Sequence, residues 1–114
     1  MSSNAIVVTP TDIRTEEGAL ADAAARGLFP MVLDIVGAVE DWHWHEFAAT
    51  VYVLEGEASA QYDDGVTLRA DAGNIVHQPA GVVHKDVPGA TYRAVFAFDR
   101  DPQAWTQPIN KPVQ

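Results

Sequence analysis

Short runs of hydrophobic residues, many with period-two alternation and each cut off by turn residues, fill most of this chain. Residues 6–9 (Ile-Val-Val-Thr) predict a first strand, and further strands are predicted over 32–36, 42–47, 50–54, 58–62, 66–69, 74–78, 82–87 and 91–98. Asp63-Asp64-Gly65 reads as a hairpin turn, since glycine accepts positive φ there, and Pro79-Ala80-Gly81 and Pro88-Gly89 read as breaks between strands. One stretch differs. Residues 18–26 are rich in alanine and acidic residues and predict a short helix, with Thr11 or Asp12 placed to cap a turn before it and Gly27 to end it. Residues 101–105 predict one helical turn, and the tail over 107–114, with Pro108 and Pro112, predicts extended chain. Many short strands at this rhythm argue for an all-β sandwich or barrel carrying a short N-terminal helical patch. The expected organisation is a strand and helical segment over 1–27, a barrel over 28–100, and a C-terminal turn and tail over 101–114.

Composition narrows the function. At 114 residues the chain has room for one core, and 47% hydrophobic residues suffice to pack it. The formal net charge of -9 repels phosphate backbones and anionic membranes, so neither nucleic acid nor membrane is expected as a partner. Cysteine is absent, which excludes disulfide scaffolds, cysteine-zinc sites and thiol nucleophiles. The most apolar run, residues 27–39, is too short to span a bilayer and contains Pro30 and Asp34. Residues 1–5 carry no basic stretch, so the expected location is the cytoplasm.

The four histidines carry the candidate chemistry. His43 and His45 are two apart, so on a strand they share a face with Cβ atoms about 7 Å apart, close enough for both rings to reach one metal ion. Trp42, Trp44 and Glu46 then point the other way. His84 follows the Pro79-Ala80-Gly81 turn, and His77 precedes it.

These residues sit in two motifs. Gly37, five residues, His43-Trp44-His45 and a later Gly56 form the first; Gly73, five residues, Pro79-Ala80-Gly81, two residues and His84 form the second. In this pattern the sequence resembles the cupins, a family of small jelly-roll barrels built as a double-stranded β-helix. The resemblance implies a metal held by His43, His45 and His84. It departs from the family at Ala49, where a glutamate ligand is usual, and at Pro88, where asparagine is usual. The resemblance therefore implies three neutral imidazole ligands and no carboxylate.

Such a set leaves a divalent transition metal with its full charge and open positions, which favours a small anionic ligand or substrate. Three-histidine cupins resemble those that use iron with dioxygen, including diketone-cleaving dioxygenases, so an Fe(II) dioxygenase is the first expectation. Zn, Mn, Ni or Cu would fit an isomerase or lyase instead, and the missing glutamate fits a non-catalytic binding or sensing module. Because the ligands must be neutral, metal is expected to leave as pH falls below about 6. Asp86, two residues after His84, is a candidate further ligand or general base.

Phe47, Ala49, Val51 and Val53 are expected to line the pocket on the His43/His45 face. His77 and Gln78 are further pocket-lining candidates, although alternation allows only one of these two neighbours to face inward. Tyr62, Tyr92 and Arg93 are candidate substrate contacts. Trp42 and Trp44, on the outer face, need cover from the second sheet or a partner subunit, and a homodimer is expected.

Overall fold

The computed structural model describes residues 6–37, 39–89 and 91–113. Nine strands are found among them, with one α-helix and one 3-10 turn. The strands are β1 (Val7–Pro10), β2 (Phe29–Val36), β3 (His43–Trp44), β4 (Ala49–Tyr62), β5 (Thr67–Asp71), β6 (Asn74–Gln78), β7 (His84–Asp86), β8 (Thr91–Phe98) and β9 (Lys111–Pro112). Helix α1 spans Glu16–Ala25, and the 3-10 turn spans Pro102–Ala104. All strand pairings are antiparallel. One sheet runs β1-β6-β4-β8-β2 and the other β5-β4-β7-β3-β9. This is a jelly-roll β fold. No helix among the described residues is long and apolar enough to cross a membrane.

Strand β4 belongs to both sheets and joins them. Its first half pairs with β6 and β8, and its second half with β5 and β7. The sequence predicts two strands here, over 50–54 and 58–62; the structure has one, of 14 residues. The register against β8 slips between Val53 and Glu55, an irregularity that bends a strand without ending it. Gly56 follows at φ +78°, where a Cβ would lie 2.3 Å from the Thr91 carbonyl oxygen. Only glycine allows the two strands to approach so closely.

Alternation along these strands builds two apolar clusters. Phe47, Ala49, Val51, Val53, Val76 and Phe98 belong to the larger one. Tyr52, Ile75, Val95 and Ala97, on the other face of the first sheet, pack against Ala19 and Ala23 of α1. The helix starts earlier than its sequence predicts: Thr15 caps it by accepting a hydrogen bond from the Gly18 amide at 3.0 Å. The fully buried Tyr52 ties sheet to helix by donating its hydroxyl proton to Asp22 at 2.6 Å.

The predicted strand over 42–47 is much shorter. Only His43 and Trp44 pair, with β7 on one side and β9 on the other. At His45 the carbonyl turns to accept from the Gly81 amide at 2.9 Å. Each outward tryptophan meets one cation of its own chain, although Trp42 stays exposed: the Lys85 ammonium lies 4.6 Å from the Trp42 ring centroid, and that of Lys111 lies 6.0 Å from the Trp44 centroid.

Candidate metal centre

Two segments distant in sequence bring His43, His45 and His84 together. Strand β3 supplies the first and its immediate continuation the second. Strand β7 supplies the third, with His84 directly opposite His43 in the register. Ring centroids are 5.0 Å apart for His43–His45, 4.4 Å for His43–His84 and 5.0 Å for His45–His84. One ligand atom from each residue lies within 4.8 Å of the others, and among the described residues this is the one group of its kind.

Each ring is oriented by a backbone carbonyl. His43 Nδ1 is 2.8 Å from the Asp41 oxygen, His84 Nδ1 is 2.9 Å from the Val82 oxygen, and His45 Nδ1 is 3.0 Å from the Ile109 oxygen. A carbonyl can only accept, so each Nδ1 must carry the proton and each Nε2 keeps a free lone pair. Fixing that tautomer is how proteins hold imidazole ready for a metal. Burial acts in the same sense. It pushes the His45 pKa down to about 4, and lowers that of His84, the nearby imidazoles adding to both effects. A lowered pKa keeps a ring neutral, and so available as a ligand, to lower pH than a free imidazole.

The histidines line a cavity of about 380 Å³. Of the residues predicted to line it, Phe47, Ala49, Val51 and Gln78 do so. Val53 does not: it is fully buried, packed within the core instead of facing the opening. His77 does not either. Gln78 and Val76 take the cavity face of β6, which turns His77 to the other side, where its Nδ1 lies 3.3 Å from the Thr50 hydroxyl oxygen. Tyr62 and Tyr92 line the cavity, but Arg93, between Tyr92 and Ala94, points outward to bond Asp34 and Glu16.

Asp86 lies on the cavity wall and outside the three-histidine group. Its Oδ2 accepts from the Val39 amide at 2.9 Å, and its own amide donates to the Val39 carbonyl. Tyr62 donates to Gln78 Oε1 at 3.3 Å. Desolvation is the main cause that pushes the Tyr62 pKa up to about 12, and it raises that of Tyr92, so both phenols keep their protons at neutral pH.

Sequence reading missed two parts of the wall. Met31, Leu33 and Ile35 of β2 line it at strict period two, a signal present in the sequence but without a face assigned to it. The C-terminal segment supplies Trp105, Ile109 and Asn110. Trp105 stacks on Phe47 with centroids 4.2 Å apart, and β9 pairs with β3. Glu46, facing away from His45, anchors this returning segment. It accepts from the Thr106 amide at 2.8 Å and from its hydroxyl, and meets Arg100 at 3.1 Å and Lys111 at 3.3 Å. The Thr106 bonds, with Lys111 adding to them, bring the Glu46 pKa down to about 2. Held in this way, the segment offers the Ile109 carbonyl to His45.

Comparison with known proteins agrees with this architecture. Protein NMB1881 from Neisseria meningitidis superposes with a TM-score of 0.55 at 19% identity, over 63% of this chain and 73% of that one. A DUF861 family protein from Thermotoga maritima superposes with a TM-score of 0.56 at 16% identity, over 80% of this chain and 96% of that one. Likeness at these identities speaks to the fold. A search of curated proteins gives no match. The family profile described as a cupin domain matches residues 31–86, a span that contains all three clustered histidines and the Pro-Ala-Gly turn. The chain is thus a small cupin-domain protein, with a three-histidine cluster suited to a divalent metal.

Proposed function

We propose that this protein is a mononuclear metal-dependent enzyme acting on a small anionic substrate, and that its chemistry is that of an Fe(II) three-histidine dioxygenase. The observation that carries the reading is the convergence of three imidazoles, each with its Nδ1 proton committed to a carbonyl, at the wall of a largely apolar cavity. His43, His45 and His84 would hold the ion through Nε2. An iron there would supply Lewis acidity and one-electron chemistry with dioxygen.

The remaining roles belong to the chain itself. Phe47, Phe96, Phe98 and Leu33 exclude water from the reacting end of the substrate. The phenol of Tyr92, protonated at neutral pH like any tyrosine and with its pKa raised further by burial, is a hydrogen-bond donor to a substrate oxygen. Ala49, standing where a carboxylate ligand is usual in the family, leaves space beside the histidines for the substrate to enter.

The test is oxygen uptake. The untagged chain is loaded anaerobically with Fe(II), mixed with a β-diketone able to chelate, and exposed to oxygenated buffer. Consumption of dioxygen in step with loss of the diketone, in the iron-loaded protein and not in the zinc-loaded one, is the expected result. Chelation of the ligand without any oxygen consumption across a panel of bidentate anions would overturn the dioxygenase reading and favour a binding module or a lyase.

A further inference from the structure

We propose that the cavity selects ligands whose negative charge is confined to the metal-chelating end and whose remaining body is uncharged and largely apolar. This rests on the metal reading above and names the substrate class for the same site.

The chain's lysines and arginines all lie away from the cavity wall. The sequence holds seven lysines and arginines, and none lies among the residues outside the described set. Arg26 pairs with Asp22, Arg69 with Glu57, Arg93 with Asp34 and Glu16, and Arg100 and Lys111 with Glu46. Lys85 lies over Trp42, and the Arg14 guanidinium lies against Gly73. The single carboxylate on the wall, Asp86, carries the wrong sign to receive an anion.

A bound cation at the histidines would then be the one positive charge available to a ligand. A second anionic group, away from that point, would lie against the half-buried Leu33, Ile35 and Phe96, and the exposed Met31, with no partner of opposite sign. Placing an unpaired charge against apolar groups costs part of its hydration with nothing gained in return. An alkyl or aryl body suits the same wall through ordinary apolar burial. The volume of about 380 Å³ lies low in the usual range for small-molecule sites, roughly 300–1,000 Å³, and so sets a compact ligand. Phosphate esters and dicarboxylates are disfavoured, including 2-oxoacids with a distal carboxylate.

The experiment uses the full chain loaded with zinc, with uptake of the ion measured first, and compares two probes that share one chelating head. 2-Oxohexanoate has an uncharged alkyl tail; 2-oxoglutarate has a carboxylate in its place. Calorimetry is expected to show 2-oxohexanoate bound at least tenfold more tightly. Equal or tighter binding of 2-oxoglutarate overturns the substrate class while leaving the metal centre standing, and so does failure of both probes to bind a chain that has taken up zinc. Failure to take up zinc overturns the metal reading and this proposal with it.

Discussion

His84→Ala is expected to raise the dissociation constant for Zn²⁺ by more than about 100-fold, beyond the roughly 10–100-fold that loss of a hydrogen-bond partner behind a metal ligand costs. His84 is the member of the trio brought from a distant part of the chain. It is buried, it stands opposite His43 in the register, and its Nδ1 is spent on the Val82 carbonyl. Alanine removes a donor that none of its neighbours can replace. Asp86, two residues on, holds the Val39 amide, and the remaining histidine is on the far side of β6. Titration calorimetry on the wild type, His84→Ala and His77→Ala checks this. His77→Ala is expected to bind zinc like the wild type, because its ring does not reach the cavity. Equal zinc affinity in His84→Ala and the wild type would remove His84 from the site.

Gly56→Ala is expected to destabilise the fold by about 3 kcal/mol or more, from two separate causes. A non-glycine residue at positive φ costs on the order of 1–3 kcal/mol. The added Cβ would also meet the Thr91 carbonyl oxygen at 2.3 Å, a contact with backbone that can be relieved only by parting β4 from β8. Gly65→Ala separates the two causes. Gly65 has φ +89° with nothing within 4 Å of its Cβ position, so the conformational cost alone is expected, about 1 kcal/mol. Thermal unfolding of both variants is the measurement. With about 4–8 °C per kcal/mol for a domain near this size, Gly56→Ala should melt at least about 10 °C below the wild type. Equal melting temperatures for the two variants would show that the close approach at Gly56 carries no energy.

Local pattern made much of this molecule legible. Period-two alternation is enough to place Ala49 and Val51 on one face of β4 and Thr50 and Tyr52 on the other. The His43-Trp44-His45 spacing puts two rings on one side even though strand pairing stops after Trp44. What stayed hidden depends on contacts between distant residues. Glu55-Gly56 looks like a strand end, and it continues only because β8 accepts the register shift beside it. Alternation says that His77 and Gln78 face opposite ways but does not say which is inside. That is decided by the pairing of β6 with β1 and β4. The tail reads as extended chain, yet its role comes from Ile109, 64 residues from the ring it orients, and from a glutamate whose partners lie beyond residue 99.

The partition of charge follows the same logic. The chain is strongly acidic, and none of its lysines and arginines lines the cavity, so the electrostatics there are set by Asp86, by the imidazoles and by whatever ion those imidazoles hold. The tautomers favour an ion in that place, since three Nδ1–H donors directed to carbonyls leave three lone pairs near one another. The most direct measurement is a crystal of the untagged protein grown with one equivalent of Co²⁺, with data collected on both sides of the cobalt absorption edge. The expected result is one strong anomalous peak within bonding distance of Nε2 of His43, His45 and His84. A peak bound elsewhere, or no peak in a crystal where those three rings are ordered as described, would contradict it.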